Sequence, residues 1–472
     1  MSLSLYWSKK GLSLAALSLF VLCACKKNHS TPLTFKTPEA YPAQNVMPTS
    51  FTAEWEQVAA VSYLLYVALD SNFTQPLTGY NPMSVRPDSA HITGLTTKTN
   101  YYYKVRAVAP NGDTSDASNI IYIPTPDPTD DRFVYIGSKD TYLYCFYAGT
   151  GAKVWSLKTQ GDIESTPNIS NNILYFGGTD QRLYSVDALT GVKRWEFRTG
   201  GPVIASPTLG PGTIFISTWY TGTAFGVNAN GSQKWTVKPT TGSSSLIFSS
   251  PTYSNGLVYV ASEDQNIYAF DASSGTKVWS VSLGDTIISS PAVSNGIVYV
   301  GSFDKYLYAL DAANGSQKWR AATSDSIGSS PTVSNGIVYV GSYDGYLYAF
   351  DATTGAQKWK AKTQGRIGSS PMVGSNGLVY VGSFDKSLYA FNATTGAPVW
   401  NTATGGRVWS SPTVSGNTVY VGSYDTKLYA MNATTGAIKW TAATTDSIRL
   451  SSPAVLTFPG NTVLPSISGD AQ

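Results

Sequence analysis

The apolar positions of this chain fall into short runs rather than along helical faces. Between Ser330 and Thr363 four such runs, SPTVS, IVYVGSY, LYAFDA and KWKAKT, are separated by Asn-Gly, Tyr-Asp-Gly and Thr-Thr-Gly turn signals. None of the runs repeats at the helical period. The pattern recurs about every 40 residues from Arg132 onward. Tryptophan marks the period: Trp155, Trp195, Trp235, Trp279, Trp319, Trp359, Trp400 and Trp440 follow one another at gaps of 40, 40, 44, 40, 40, 41 and 40. Four predicted strands in each of eight such units imply an all-β chain with an eight-bladed β-propeller over residues 132–457.

The two ends of this region are complementary. The first copy, Phe133 to Thr159, lacks the Ser-Ser-Pro segment, and an orphan Ser-Ser-Pro-Ala-Val stands at Ser451 to Val455. Together they make one blade whose innermost strand comes from the C-terminal end, which removes two open sheet edges. Residues 458–472 remain as a C-terminal tail.

Residues 38–124 carry a different pattern. Strand-like runs at Ser50–Trp55, Ser62–Asp70, His91–Leu95 and Tyr101–Pro110, with a last one near Ile120, are separated by turn residues and predict a β-sandwich. Residues 125–131 are a Pro-rich linker and 26–37 a polar tether. In residues 1–25, Lys9 and Lys10 precede an apolar run, Gly11 to Leu22, too short to span a bilayer but suited to a secretory targeting segment.

Two of these segments resemble known modules. Leu22-Cys23-Ala24-Cys25 resembles the bacterial lipobox, which implies a lipoprotein with Cys25 as the acylated residue, anchored to the membrane through that lipid. Lys26 follows the cysteine, where an Asp would suggest inner-membrane retention, so an outer-membrane lipoprotein is expected, periplasm-facing or at the cell surface. The sandwich resembles a fibronectin type III domain, with Trp55 as the core tryptophan and Leu95 and Tyr101 at the spacing of that family's tyrosine corner. Its expected role is a spacer that holds the propeller off the membrane.

Composition narrows the chemistry. The chain has 32 Lys and Arg against 29 Asp and Glu, and without Lys9 and Lys10 the basic total is 30, so there is no electrostatic footprint for nucleic acid. Of three cysteines only Cys145 lies beyond the targeting segment, at a position where other copies have Ala269, Ala309 or Ala349, and it reads as a small buried residue. Both histidines, His29 and His91, precede the propeller, so it holds neither a Ser-His-Asp triad nor a His-based metal site.

The residues around each tryptophan are more specific than the blade pattern. Ala309 to Trp319 and Ala349 to Trp359 fit A-x-D-x-x-[TN]-G-x-x-x-W. This resembles the tryptophan-docking motif of the PQQ-type propeller repeat, found in quinoprotein alcohol dehydrogenases and in BamB-like lipoproteins of the outer-membrane protein insertion machinery. The glycine supplies a positive φ, the Asp caps the turn, and the eight tryptophans dock neighbouring blades. The Asp becomes Asn228, Asn392 and Asn432, and Tyr147 in the first copy, as suits capping rather than charge. A quinoprotein would also need a vicinal disulfide, a calcium site and an Asp base. With one cysteine the vicinal pair is impossible, and Asp264, Asp304, Asp344, Asp385 and Asp425 recur at equivalent turns as scaffolding does. No catalytic residue, metal or cofactor is therefore expected; PQQ with calcium belongs only to the alternative of a PQQ-dependent dehydrogenase.

What varies between copies is one face. With SPTVS innermost, the loops leading into it share a face with the loops joining the second and third strands. These carry Asp162, Trp219, Tyr220, Asp285, Phe303, Asp325, Tyr343, Arg366, Phe384, Arg407, Trp409, Tyr424, Asp446 and Arg449, the candidate binding face. The third copy is the outlier, with STWYTGTAFGVNANG and an extension at Thr240 to Leu246. The expectation is a monomeric, non-catalytic, lipid-anchored cell-envelope scaffold that binds a protein or glycan there, with a BamB-like assembly role as a further alternative.

Overall fold

The computed structural model describes residues 36–86, 88–125, 132–239 and 246–457. Cys25 and its targeting segment, the tether up to residue 35, the linker residues 126–131, the extension at 240–245 and the tail from 458 lie outside the described residues. Every regular element among the described residues is a strand.

The N-terminal strands are β1 (Ala40–Met47), β2 (Ser50–Trp55), β3 (Ser62–Ala68), β4 (Met83–Val85), β5 (Ser89–Thr93), β6 (Asn100–Val108) and β7 (Ile121–Pro124). They form two sheets, ordered β1-β2-β5 and β4-β3-β6-β7. Alternate residues of β2 and β6 turn inward, so Phe51, Ala53 and Trp55 share one core with Tyr101, Tyr103 and Val105. The tyrosine-corner spacing has a physical counterpart: the Thr96 N–H donates to the Tyr101 hydroxyl at 2.9 Å, beside buried Leu95. β1 and β4 are not among the runs expected from sequence. β1 contains Pro42 and pairs with β2 through register shifts, which erases its alternation, and β4 has only three residues.

Beyond residue 131, eight four-stranded antiparallel sheets follow one another. The first consists of β8 (Arg132–Gly137), β9 (Tyr142–Tyr147) and β10 (Lys153–Lys158), with Ala454–Thr457 paired to β8 as its inner strand. The sixth is representative: Thr332–Ser334, Ile337–Gly341, Tyr346–Asp351 and Gln357–Lys362. Its middle strands are buried on both faces because sheets pack on either side, hence their unbroken apolar runs. Asn335 and Gly336 both take positive φ, 51° and 71°, the type I′ hairpin that Asn-Gly encodes.

Two belts of hydrogen bonds join the sheets into a closed β-propeller. At the inner strands the Thr166 N–H donates to Ser206 Oγ, and the same bond passes from Ser206 to Ser250, Ser290, Ser330, Ser370, Ser411 and Ser452, whose N–H returns to Thr166 Oγ1, all at 2.8–3.0 Å. Near the outer strands each period-marking tryptophan donates its Nε1–H to an alanine carbonyl of the next sheet. Trp319 bonds Ala352 at 3.1 Å, and Trp440 bonds Ala148 of the first sheet at 3.0 Å. The turn glycine has a second duty here: a Cβ on Gly355, φ +74°, would lie 2.7 Å from the Trp319 ring.

The sandwich is in contact with this ring. β1 packs against β10, the Tyr147 hydroxyl lies 3.6 Å from Met47 Sδ, and one hydrophobic core runs from Trp55 to Phe133 and Trp155.

Candidate functional site

Hydrogen bonding separates scaffold from site. Asp344 Oδ1 accepts the Tyr346 N–H at 2.9 Å, while its Oδ2 accepts the Tyr348 hydroxyl at 2.7 Å and the Ser324 N–H at 3.0 Å. One carboxylate thereby caps its own turn and staples the loop arriving from the preceding sheet. Asp140, Asp304, Asp385 and Asp425 likewise take a tyrosine hydroxyl and a backbone N–H from that arriving loop. In the Thr-Thr-Gly turns, Asp351 Oδ1 accepts the Thr353 and Thr354 N–H groups, and those bonds with Lys358 hold its carboxyl down to about 2. Asn392 and Asn432 accept the equivalent bonds, so the cap needs an oxygen rather than a charge. Burial pushes the Cys145 thiol well up. Among the described residues no group of three or more His, Cys, Asp or Glu side chains could hold a metal.

The varied face gathers several of its residues into stacks. Phe303 and Tyr343 meet at 5.8 Å between ring centres, and the Arg366 guanidinium lies over Tyr343 at 5.6 Å. Phe384 and Trp409 meet at 5.1 Å, and Arg407 lies over Phe384 at 5.6 Å. Arg449 lies over Tyr424 at 5.6 Å, donates to its hydroxyl from Nε at 3.3 Å, and faces Glu164 at 3.4 Å. Three consecutive sheets thus present an arginine on an aromatic ring. Gly328 and Gly368 make room for these rings, since a Cβ on Gly328 would meet Tyr343 at 2.5 Å and one on Gly368 would meet Trp409 and Phe384.

Trp219 and Tyr220 form a separate stack at 4.1 Å, edge-on to Phe248, with the Trp219 Nε1–H donating to Glu263 at 3.2 Å. Tyr220 is 61% exposed. In this third sheet the Thr218 N–H reaches the Thr223 carbonyl, five residues on, where Ser302 reaches Tyr306, four on. The loop is one residue longer and its Asp-to-Tyr staple is replaced by a Thr218–Thr221 contact. Asp285, Asp325 and Asp446 join no stack; each accepts the N–H of its own next residue. Asp162 pairs with Lys139 at 3.7 Å.

Four partners were not foreseen: Lys139, Glu164, Phe248 and Glu263. Lys139 and Glu263 hold the repeat position of Phe303, Tyr343, Phe384 and Tyr424, and Glu164 and Phe248 hold that of Trp409, so register between copies points to them. Burial raises the Glu164 carboxyl above its ordinary range against the pull of Arg449, and raises Glu263 against the Trp219 hydrogen bond. The Tyr424 hydroxyl, then Glu164, hold Arg449 in its charged form.

Comparison with known proteins agrees with this architecture. The family described as outer membrane protein assembly factor BamB matches over residues 118–260, 199–287, 221–341, 263–369 and 344–469. The chain belongs to this family. The crystal structure of BamB from Moraxella catarrhalis resembles it with a TM-score of 0.52 at 21% identity, covering 64% of this chain and 91% of that one. The computationally designed Ika8 protein resembles it with a TM-score of 0.54 at 15% identity, covering 66% and 93%. Both likenesses concern the fold. No curated protein matches the chain. This BamB-family β-propeller thus carries, on its varied face, aromatic and guanidinium stacks that do not recur in every sheet.

Proposed function

We propose that this protein is a non-catalytic cell-envelope scaffold that binds another protein through the varied face. In this reading the eight sheets are the blades of one eight-bladed propeller, and the two N-terminal sheets are a fibronectin type III-like spacer. The chain is a monomer held at the outer membrane by a lipid on Cys25. The observation that carries it is the run of arginine-on-aromatic stacks at Tyr343, Phe384 and Tyr424, the composition of protein-binding hot spots. A glycan would need flat exposed rings, and these are half-buried and tilted against one another.

A photocrosslinking residue at Tyr220, compared with one at Thr395 on the opposite face, tests the reading in whole cells. Discrete protein adducts from position 220 and none from 395 are expected; equal labelling would defeat it. The family's description supports a second reading, a part in outer-membrane protein assembly. Co-purification with the β-barrel insertion machinery is the expected outcome there. The PQQ-dependent dehydrogenase alternative has less support, because the recurrent aspartates spend their oxygens on turns and tyrosine hydroxyls.

A further inference from the structure

The charges on the varied face are not evenly spread around the ring. Arg366 and Arg407 belong to the loops after the sixth and seventh sheets, which carry no acid, whereas Asp285 and Asp325 follow the fourth and fifth, Asp446 shares the loop after the eighth with Arg449, and Glu263 stands on the fourth. The acids are engaged: Asp285 and Asp325 with their own backbone, Glu263 with Trp219. The arginines are less so. Arg449 has Glu164 at 3.4 Å, but Arg366 and Arg407 form no ion pair among the described residues, and both are exposed. A guanidinium stacked on a ring keeps its edge N–H groups open to a carboxylate. Arg366 lies over Tyr343 and Arg407 over Phe384, and Phe384 in turn meets the apolar Trp409.

We infer that the arc from Arg366 to Arg407 is the docking site for an acidic protein segment, two of whose carboxylates engage the guanidiniums while an apolar side chain between them covers Phe384 and Trp409. This rests on the reading of the varied face as a protein-binding surface. Charge complementarity selects the occupant. Two open guanidiniums on adjacent sheets suit discrete, separated carboxylates, while the acids elsewhere on the same face repel a long polyanion such as a nucleic acid or a sulfated glycan. The near balance of the whole chain, 32 basic against 29 acidic residues, supplies no long-range field to overcome that repulsion.

The test uses the full chain and a fluorescent peptide of repeated Glu-Ser-Leu-Glu, with its Gln-Ser-Leu-Gln counterpart, followed by anisotropy at low and high salt. The glutamate peptide is expected to bind at least about tenfold more tightly than the glutamine peptide, and high salt should narrow the gap. R366Q/R407Q should abolish the preference, and R366K/R407K should keep part of it, because charge remains while the planar fork is lost. Both side chains are exposed, so an unchanged thermal midpoint will certify that the variants fold. Equal binding of the two peptides, or a preference that survives R366Q/R407Q, overturns the inference, as does inorganic polyphosphate binding at least as tightly through the same arginines. Rim crosslinks that persist in R366Q/R407Q would sink this inference and leave the protein-binding reading standing. Equal labelling at positions 220 and 395 together with equal binding of the two peptides would sink both.

Discussion

Glu164 shows how the ring sets the protonation of one side chain. Its side chain is 12% exposed, and burial lifts its carboxyl above the ordinary value despite Arg449 at 3.4 Å. In the window between the ordinary and the raised value, the folded protein keeps a proton that the unfolded chain has released. Stability contributed by this group is therefore full below the ordinary range and is lost as pH rises through the folded value. Glu164→Gln removes the titration and also the charge pairing, itself worth about 1 kcal/mol or less for a partly exposed pair. Urea midpoints at about pH 4 and about pH 7 should show the variant gaining on the wild type as pH rises. A constant difference across that range would mean that Glu164 titrates alike in the folded and unfolded chain. The candidate site was legible in sequence only as far as repeat register was followed. Arg366, Arg407 and Arg449 stand out because neighbouring copies place Asp285 and Asp325 in the corresponding loops. Which ring each arginine covers depends on curvature between sheets, which no spacing encodes. Trp219 was visible as a departure, but its bond to Glu263 crosses from the third sheet to the fourth.

At the scale of elements, the inner strand Ala454–Thr457 has the heaviest burden for its length. It pairs with β8 through four residue partners, and the residues just before it close both ends of the serine belt. Ser451 Oγ also accepts the Gly137 N–H, and the Pro453 carbonyl accepts the Thr413 hydroxyl. Ending the chain at Leu450 deletes all of these. At about 1 kcal/mol for each hydrogen bond the loss is ~5 kcal/mol or more, which lowers the thermal midpoint by roughly 10 °C or more. Circular dichroism melts of the truncated and full chains check this, and a peptide of residues 451–457 added in trans should restore part of the loss. An unchanged midpoint would show that the ring holds without its closing strand. This strand was legible because the first copy is one segment short. β1 was not, since bulges and Pro42 remove the alternation by which a half-buried strand is recognised.

At the scale of the whole molecule, the contact of β1 with β10 decides how the sandwich carries the propeller. A flexible link would let the varied face point anywhere, whereas a shared core fixes its direction relative to the N-terminal strands. Met47 sits at that contact beside the Tyr147 hydroxyl. Nearby, burial pulls the Lys153 ammonium of β10 below its ordinary range while Glu54 of β2 opposes it, so charge crosses the same boundary. Because one apolar core spans both parts, their unfolding is coupled: exposing the sandwich core also exposes the outer flank of the first propeller sheet. Met47 is only partly buried against that shared core, so Met47→Lys places an ammonium in the seam at a cost of about 1–3 kcal/mol. Calorimetry of the full chain should then change from one broad transition to two, the lower for the sandwich and the upper near the wild-type value for the propeller. The transition should not split if the two parts already unfold independently, and the sandwich would then be a loose spacer rather than a mount that aims the arginine-bearing face.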